Sequence, residues 1–241
     1  MEPKHLNKSP IIEALIEVRF NSILPQTAVF GIIYDSIKDI YPGAPMSLPV
    51  LQLPEHVRNV DKQFEFAPHY LLQNENYKLQ IGPKVLIFSC KMPYKRWEEF
   101  MAFLSESLQL IEQKNILTNI TRIGHRYINF FKNNQMEFLN LNLSLSNPEV
   151  DLGKAPTSIR TEIKNEEYIH ILQIANQATA IMDGKPLGVG TIIDIDTIID
   201  LPNCAYNEFI RRINEMHGKE KTLFFSLLKP ELIAKMNPFN E

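Results

Sequence analysis

Two arginines in the middle of the chain have a spacing that could bind a charged group. Arg122 and Arg126 lie within residues 119–131, which read Asn-Ile-Thr-Arg-Ile-Gly-His-Arg-Tyr-Ile-Asn-Phe-Phe. The alternation of this stretch predicts a strand, in which successive side chains point to opposite faces. Both arginines therefore share one face, about 13 Å apart at a rise of ~3.3 Å per residue. A guanidinium can hold a carboxylate or a phosphate through two parallel hydrogen bonds.

Other predicted strands carry charged residues with the same alternation, namely Glu13, Glu17 and Arg19, then Arg160, Glu162 and Lys164, then Asp194 and Asp196. If these faces lie on the same side of one sheet, they form a helix-free surface of alternating charge. We predict that this surface binds a partner protein or an anionic ligand through Arg19, Arg122, Arg126, Arg160, Asp194 and Asp196. The alternative, which the sequence leaves open, is a self-neutralising lattice in which Arg122 and Arg126 pair with Asp194 and Asp196.

Two short patterns would suit metal-dependent hydrolysis. Asp194 and Asp196 point the same way on a strand, and Asp151 followed by Glu162 and Lys164 has the loose order of a nuclease core that holds Mg²⁺. Such patterns arise often by chance. The histidines show no ligand spacing, and Walker and GxSxG motifs are missing. We therefore predict no catalytic residue, no metal and no cofactor, and keep a metal-dependent nuclease or phosphodiesterase as one alternative.

A second alternative is a small-molecule sensor with a pocket between helix and sheet. The aromatic residues that could line it are Trp97, Phe100, Phe103, Phe224 and Phe225. Their helical spacing favours core packing instead. His125 and Tyr127 share the bulkier face of the central strand, so we interpret His125 as structural.

The predicted elements place these residues in an α+β fold. We expect strands at 11–20, 63–73, 77–81, 84–92, 120–131, 158–165, 168–182 and 187–199, and helices at 25–40, 94–114 and 206–228. The series of strand, helix, antiparallel strands and long helix occurs in 11–114 and, less regularly, in 120–228. We predict two related β-α-β(n)-α halves, 1–117 and 118–241, with antiparallel sheets backed by long helices. One continuous domain is the alternative.

Composition excludes several classes of protein. The chain has 241 residues, 44% of them apolar and 22% charged, which is typical of an ordinary globular protein. A net charge of −3 gives no overall basic field for nucleic acid. The N-terminus lacks the apolar core of a signal peptide, and no apolar run has the length of a membrane helix. We expect a cytoplasmic protein that binds a partner protein and no membrane, with nucleic acid and a homo-oligomer left open.

Four stretches carry a resemblance to a known family. They are Pro10-Ile-Ile-Glu-Ala-Leu-Ile-Glu-Val-Arg-Phe20, Arg122-Ile-Gly-His-Arg-Tyr-Ile-Asn129, Asp194-Ile-Asp196, and 217–228 with Phe224-Phe225. Together they resemble the TIGR04255-type family of sporadically distributed bacterial proteins over almost the whole chain. His125 departs from the apolar residue expected at that position. The resemblance implies these boundaries but no reaction, and its patchy distribution suggests a bacterial defence or toxin-antitoxin-like cassette.

Overall fold

The computed structural model describes residues 2–143, 151–182, 184–201, 204 and 206–240. These ranges confirm the α+β class, with a large antiparallel sheet and five helices. The strands are β1 (His5–Leu6), β2 (Ile11–Asn21), β3 (Met46–Ser47), β4 (Tyr70–Gln73), β5 (Tyr77–Ile81), β6 (Val85–Cys90), β7 (Asn119–Lys132), β8 (Thr157–Asn165), β9 (Tyr168–Met182), β10 (Lys185–Asp200) and β11 (Pro238–Phe239). The helices are α1 (Gln26–Ile37), α2 (Glu55–Val60), α3 (Trp97–Glu112), α4 (Tyr206–Leu227) and α5 (Pro230–Lys235).

The large sheet has nine strands in the order β3-β4-β5-β6-β2-β7-β10-β9-β8. Every strand pair whose register is described is antiparallel. The short strands β1 and β11 form a separate two-stranded sheet, also antiparallel. The central strands are therefore β2 and β7, which carry the alternating stretches at residues 11–20 and 120–131.

Alternation along β2 shows why the sequence forms a two-faced sheet. Ala14, Ile16, Val18 and Phe20 are all fully buried, whereas the residues between them are partly exposed and Glu13, just before them, is exposed. Because side chains alternate with a period of two, burying the first set commits the second set to the opposite face.

Contacts along the chain define two compact units. The inner unit comprises residues 15–125 and 199–213. Its core includes aromatic rings of α3 packed on the sheet. Phe103 stacks on Tyr77 with ring centroids 3.8 Å apart, and Trp97 meets His125 edge to face at 5.3 Å. Trp97, Phe100 and Phe103 thus take part in the core packing that their helical spacing favours, and His125 is fully buried.

The terminal unit comprises residues 1–14, 126–198 and 214–241, of which the structure describes 2–14, 126–143, 151–182, 184–198 and 214–240. In this unit α4 and α5 pack on one face of the sheet. The cluster between them combines strand residues with helix residues: Phe131, Leu172, Ile174, Ile193 and Ile195 with Phe224, Leu227, Leu228 and Leu232. The other face of this part of the sheet carries the charged residues.

The strand predicted from residue 63 was wrong over residues 63–69. The strand predicted over 63–73 begins only at Tyr70, and α2 and a short 3₁₀ turn at Lys62–Phe64 precede it. The Asp61 side chain accepts a hydrogen bond from the backbone N–H of Gln63, which stabilises that turn in place of a strand ladder. No helix in the described part of the chain is long and apolar enough to cross a membrane.

Candidate functional site

The charged residues of the terminal unit meet on the sheet face opposite α4. Two rows cross β10, β9 and β8 in register: Asp194, Gln173 and Arg160 in one, and Asp196, Ile171 and Glu162 in the other. Directly opposed residues of antiparallel strands share a face, so these six side chains lie on one side of the sheet. We call this side of the terminal unit, together with Arg126 and Glu13, the open face.

The strongest interaction on the open face joins Arg126 to Asp194. Arg126 Nε donates to Asp194 Oδ1 at 2.8 Å, and Nη2 donates to Oδ2 at 2.6 Å. Gln173 Nε2 donates to the same Oδ2 at 3.3 Å. The Asp194 side chain is only 9% exposed and that of Arg126 is 34% exposed. The guanidinium fork is therefore already filled by a carboxylate of its own chain.

Acidic residues surround Arg126. Its pKa is raised by the hydrogen bonds to Asp194, and burial of the side chain opposes the rise. The negative charges of Asp194, Asp196 and Glu13 raise this pKa further. One cation thus lies among three carboxylates, and the centre of the open face has an acidic surplus.

The remaining predicted site residues lie in other surroundings. Arg160 Nη2 bonds Glu162 at 2.9 Å within the same strand, and both side chains are about half exposed. In the inner unit, Arg19 Nε bonds Glu17 at 2.7 Å and its guanidinium lies 4.2 Å from the Phe66 ring centroid. Arg122, also in the inner unit, has a buried Nε without a hydrogen-bond partner in the described residues. The structure brings Arg126 and Asp194 together, as the self-neutralising alternative predicts.

The residues of the nuclease hypothesis do not gather around one point. Asp151 bonds Lys154 at 3.0 Å, in the loop before β8, while Glu162 bonds Arg160 on the strand itself. Among the residues that the structure describes, no three His, Cys, Asp or Glu side chains are placed to hold a metal ion.

Sequence reasoning missed a buried acid on the opposite face of the sheet. Glu220 of α4 is 1% exposed and accepts a hydrogen bond from the backbone N–H of Tyr127 at 3.0 Å. Burial raises the pKa of Glu220 well above its ordinary value, and the charge of Asp196 adds to the rise. A hydrogen bond from Thr197 partly opposes the rise in pKa.

Glu220 belongs to a polar group buried among the apolar residues of the terminal unit. The Thr197 hydroxyl lies 2.9 Å from His170 Nδ1, and both residues are buried. The Tyr127 hydroxyl lies 3.4 Å from His217 Nδ1. Because Glu220 and Thr197 are out of contact with solvent, we assign this group to the positioning of α4 on β7 and β10 rather than to a reaction with a substrate.

A signal for Glu220 is present in the sequence. The helical stripe that faces the core contains Phe209, Ile213, Met216 and Phe224, all buried. Glu220 follows Met216 by four positions and precedes Phe224 by four, so it lies inside the apolar stripe. A charged residue in such a position predicts a buried polar contact.

Comparison with models of known protein families gives no match, and comparison with curated proteins gives none either. The resemblance to a sporadically distributed bacterial family therefore stays a prediction.

A double-mutant cycle measures the coupling between Arg126 and Asp194. For R126Q, D194N and the double variant, we expect a coupling free energy of about 1.5–3 kcal/mol, because the bonds are charge-assisted and partly buried. Urea unfolding measures it. The matched control is the exposed pair Lys38–Asp35, for which K38Q/D35N should give a much smaller coupling, because solvent screens the two charges. Equal coupling in the two pairs would contradict a special role for Arg126.

The buried carboxyl of Glu220 predicts how stability depends on pH. Its raised pKa means that its contribution to stability is complete below about 4.5, the ordinary Glu pKa, and is lost as pH rises toward the folded value. We therefore expect the unfolding free energy of E220Q to increase relative to that of the wild type. The increase should be up to about 1.4 kcal/mol for each pH unit between the ordinary Glu pKa and the folded-state pKa. Unfolding free energies at several pH values measure the difference. Parallel profiles, or an equal gain in the exposed control E75Q, would refute the assignment.

Proposed function

We propose that the protein is a non-enzymatic recognition protein that binds a partner protein through the open face. The observation that carries the proposal is the acidic surplus around an arginine that is already satisfied. Asp194 fills the fork of Arg126, and Asp196 and Glu13 add negative charge around it. A phosphate or nucleic-acid backbone approaching this point would meet carboxylates first, which disfavours an anionic ligand.

Apolar side chains between the charges support a protein as the partner. Ile128, Ile171 and Ile192 lie on the same face of the sheet as the charged residues and are partly exposed. Protein interfaces commonly combine an apolar centre with a polar rim, and charge complementarity then selects the partner. The partner that fits would present apolar side chains together with lysine or arginine.

The tight ion pair contributes rigidity to this surface. Asp194 is held by two bonds from Arg126 and one from Gln173, so its carboxylate has a fixed position. A surface that is ordered before binding loses less conformational entropy when the partner binds. The role in a bacterial defence or toxin-antitoxin-like cassette stays a prediction of the family resemblance.

We also infer that the two halves of the chain are related. Outward from the centre, the strand order is β2, β6, β5, β4 and the two-residue β3 in one direction, and β7, β10, β9, β8 in the other. A long helix follows the second strand of each series, α3 after β6 and α4 after β10. This agreement supports a duplication. In the described residues between β7 and β8, a short 3₁₀ turn at Met136–Phe138 stands where the first half has α1.

A charge reversal on the open face tests the proposed function. We expect E13K to reduce recovery of the partner from native lysate at least about tenfold, because a basic partner would then meet a like charge. The matched control is E75K, the same change at an exposed residue in the turn between β4 and β5. Quantitative mass spectrometry of proteins bound to the wild type, E13K and E75K measures the difference, with unfolding curves to verify that each variant folds.

Three results would contradict the proposal: equal recovery of the partner by E13K and E75K, no protein recovered by the wild type, or nucleic acid recovered in its place.

A further inference from the structure

In the described part of the chain, β8 is the edge strand of the large sheet, with β9 as its strand partner. It pairs with β9 along all of its nine residues, Thr157–Asn165. Six of these nine residues are exposed. An exposed edge of this length presents backbone N–H and C=O groups that can pair with another strand. We propose that two copies of the chain associate by antiparallel pairing of β8 with β8, which extends the sheet across a two-fold axis.

The sequence of β8 is complementary to itself when read backward. Residues 157–165 read Thr-Ser-Ile-Arg-Thr-Glu-Ile-Lys-Asn. In an antiparallel pair centred on Thr161, Arg160 lies opposite Glu162 of the second copy, and the two-fold axis repeats this contact. Ile159 then lies opposite Ile163, and polar residues lie opposite each other at the ends. Opposite charges and matched apolar residues in directly opposed positions stabilise a strand pair.

This register is favoured over its immediate neighbours. Centring the pair on Arg160 would place arginine against arginine, and centring it on Glu162 would place glutamate against glutamate. Only the centre at Thr161 engages the full length of the strand. The geometry therefore specifies one dimer rather than a set of sliding contacts.

The charges of β8 differ from those that protect an edge strand. Protective charges repel a second copy or remain without partners when it approaches. Here the signs alternate so that each charge finds its opposite in the second copy. The present bond between Arg160 and Glu162 is exposed, so its exchange for contacts across the dimer costs little.

Apolar residues on the other face of β8 add to the interface. Ile159 and Ile163 are partly buried and pack against the core cluster beneath α4. In the dimer, Ile159 and Ile163 of the second copy would cover the part of these two side chains that is exposed in the single chain. The proposal does not rest on the proposed function, because purified protein without any partner should form the dimer.

Charge reversal and its restoration test the dimer with purified full-length protein. Sedimentation velocity should give twice the chain mass of 27.9 kDa for the wild type at tens of micromolar, an order-of-magnitude working concentration. R160E and E162R should each weaken the dimer at least about tenfold, since like charges then face each other twice. The double variant R160E/E162R restores opposite charges and should recover the wild-type affinity. A 1:1 mixture of the two single variants should form a heterodimer.

Controls with the same changes of charge lie away from β8. K185E, at the exposed start of β10, and E75K should both remain dimeric. A monomeric wild type at about 100 µM, where even a weak specific interface would associate, would overturn the proposal. The proposal would also be overturned if R160E and E162R dimerised as strongly as the wild type. The same holds if R160E/E162R, shown by thermal unfolding to be folded, failed to recover the dimer.

Discussion

The position of β7 inside the sheet is the constraint on which the rest of the structure depends. β2 lies on one side of this strand and β10 on the other, so β7 has no free edge. If the register of β7 shifted by one residue, Tyr127 and Phe131 would move away from α4 and become exposed. The loss of buried apolar area makes that shift unfavourable. The face that carries Arg126 is fixed as a consequence, and the ion pair with Asp194 neutralises a guanidinium that is only partly in contact with water.

The two faces of the terminal unit handle charge in different ways. On the open face, Arg126 and Asp194 compensate each other directly, and the surrounding acids leave a negative surplus. Beneath α4, Glu220 accepts a hydrogen bond from the backbone N–H of Tyr127, and burial raises its pKa so that the neutral form is favoured. The first arrangement keeps charge at the surface, and the second keeps charge out of the core.

Alternation and helical spacing made most of the architecture predictable from the sequence. The strand expected at 168–182 has those bounds in the structure, and the helix expected at 206–228 ends one residue earlier. Residues 63–69 were harder, because the Asp61 side chain and local turns compete with strand pairing there. The partner of Arg126 could be named only as one of two aspartates, since the register between strands is a tertiary property. Glu220 was missed because its charged side chain was given more weight than its position inside the apolar stripe of α4.

Site-specific photo-crosslinking tests most directly whether the open face binds a protein. A photoreactive amino acid replaces Ile171, which lies between Asp196 and Glu162 on that face, and the protein is irradiated in native lysate. The control position is Ile181, which is 64% exposed in the hairpin of β9 and β10. Recognition through the open face predicts a discrete crosslinked protein from position 171 and none from position 181. No crosslinked protein from position 171, or the same product from both positions, would contradict it.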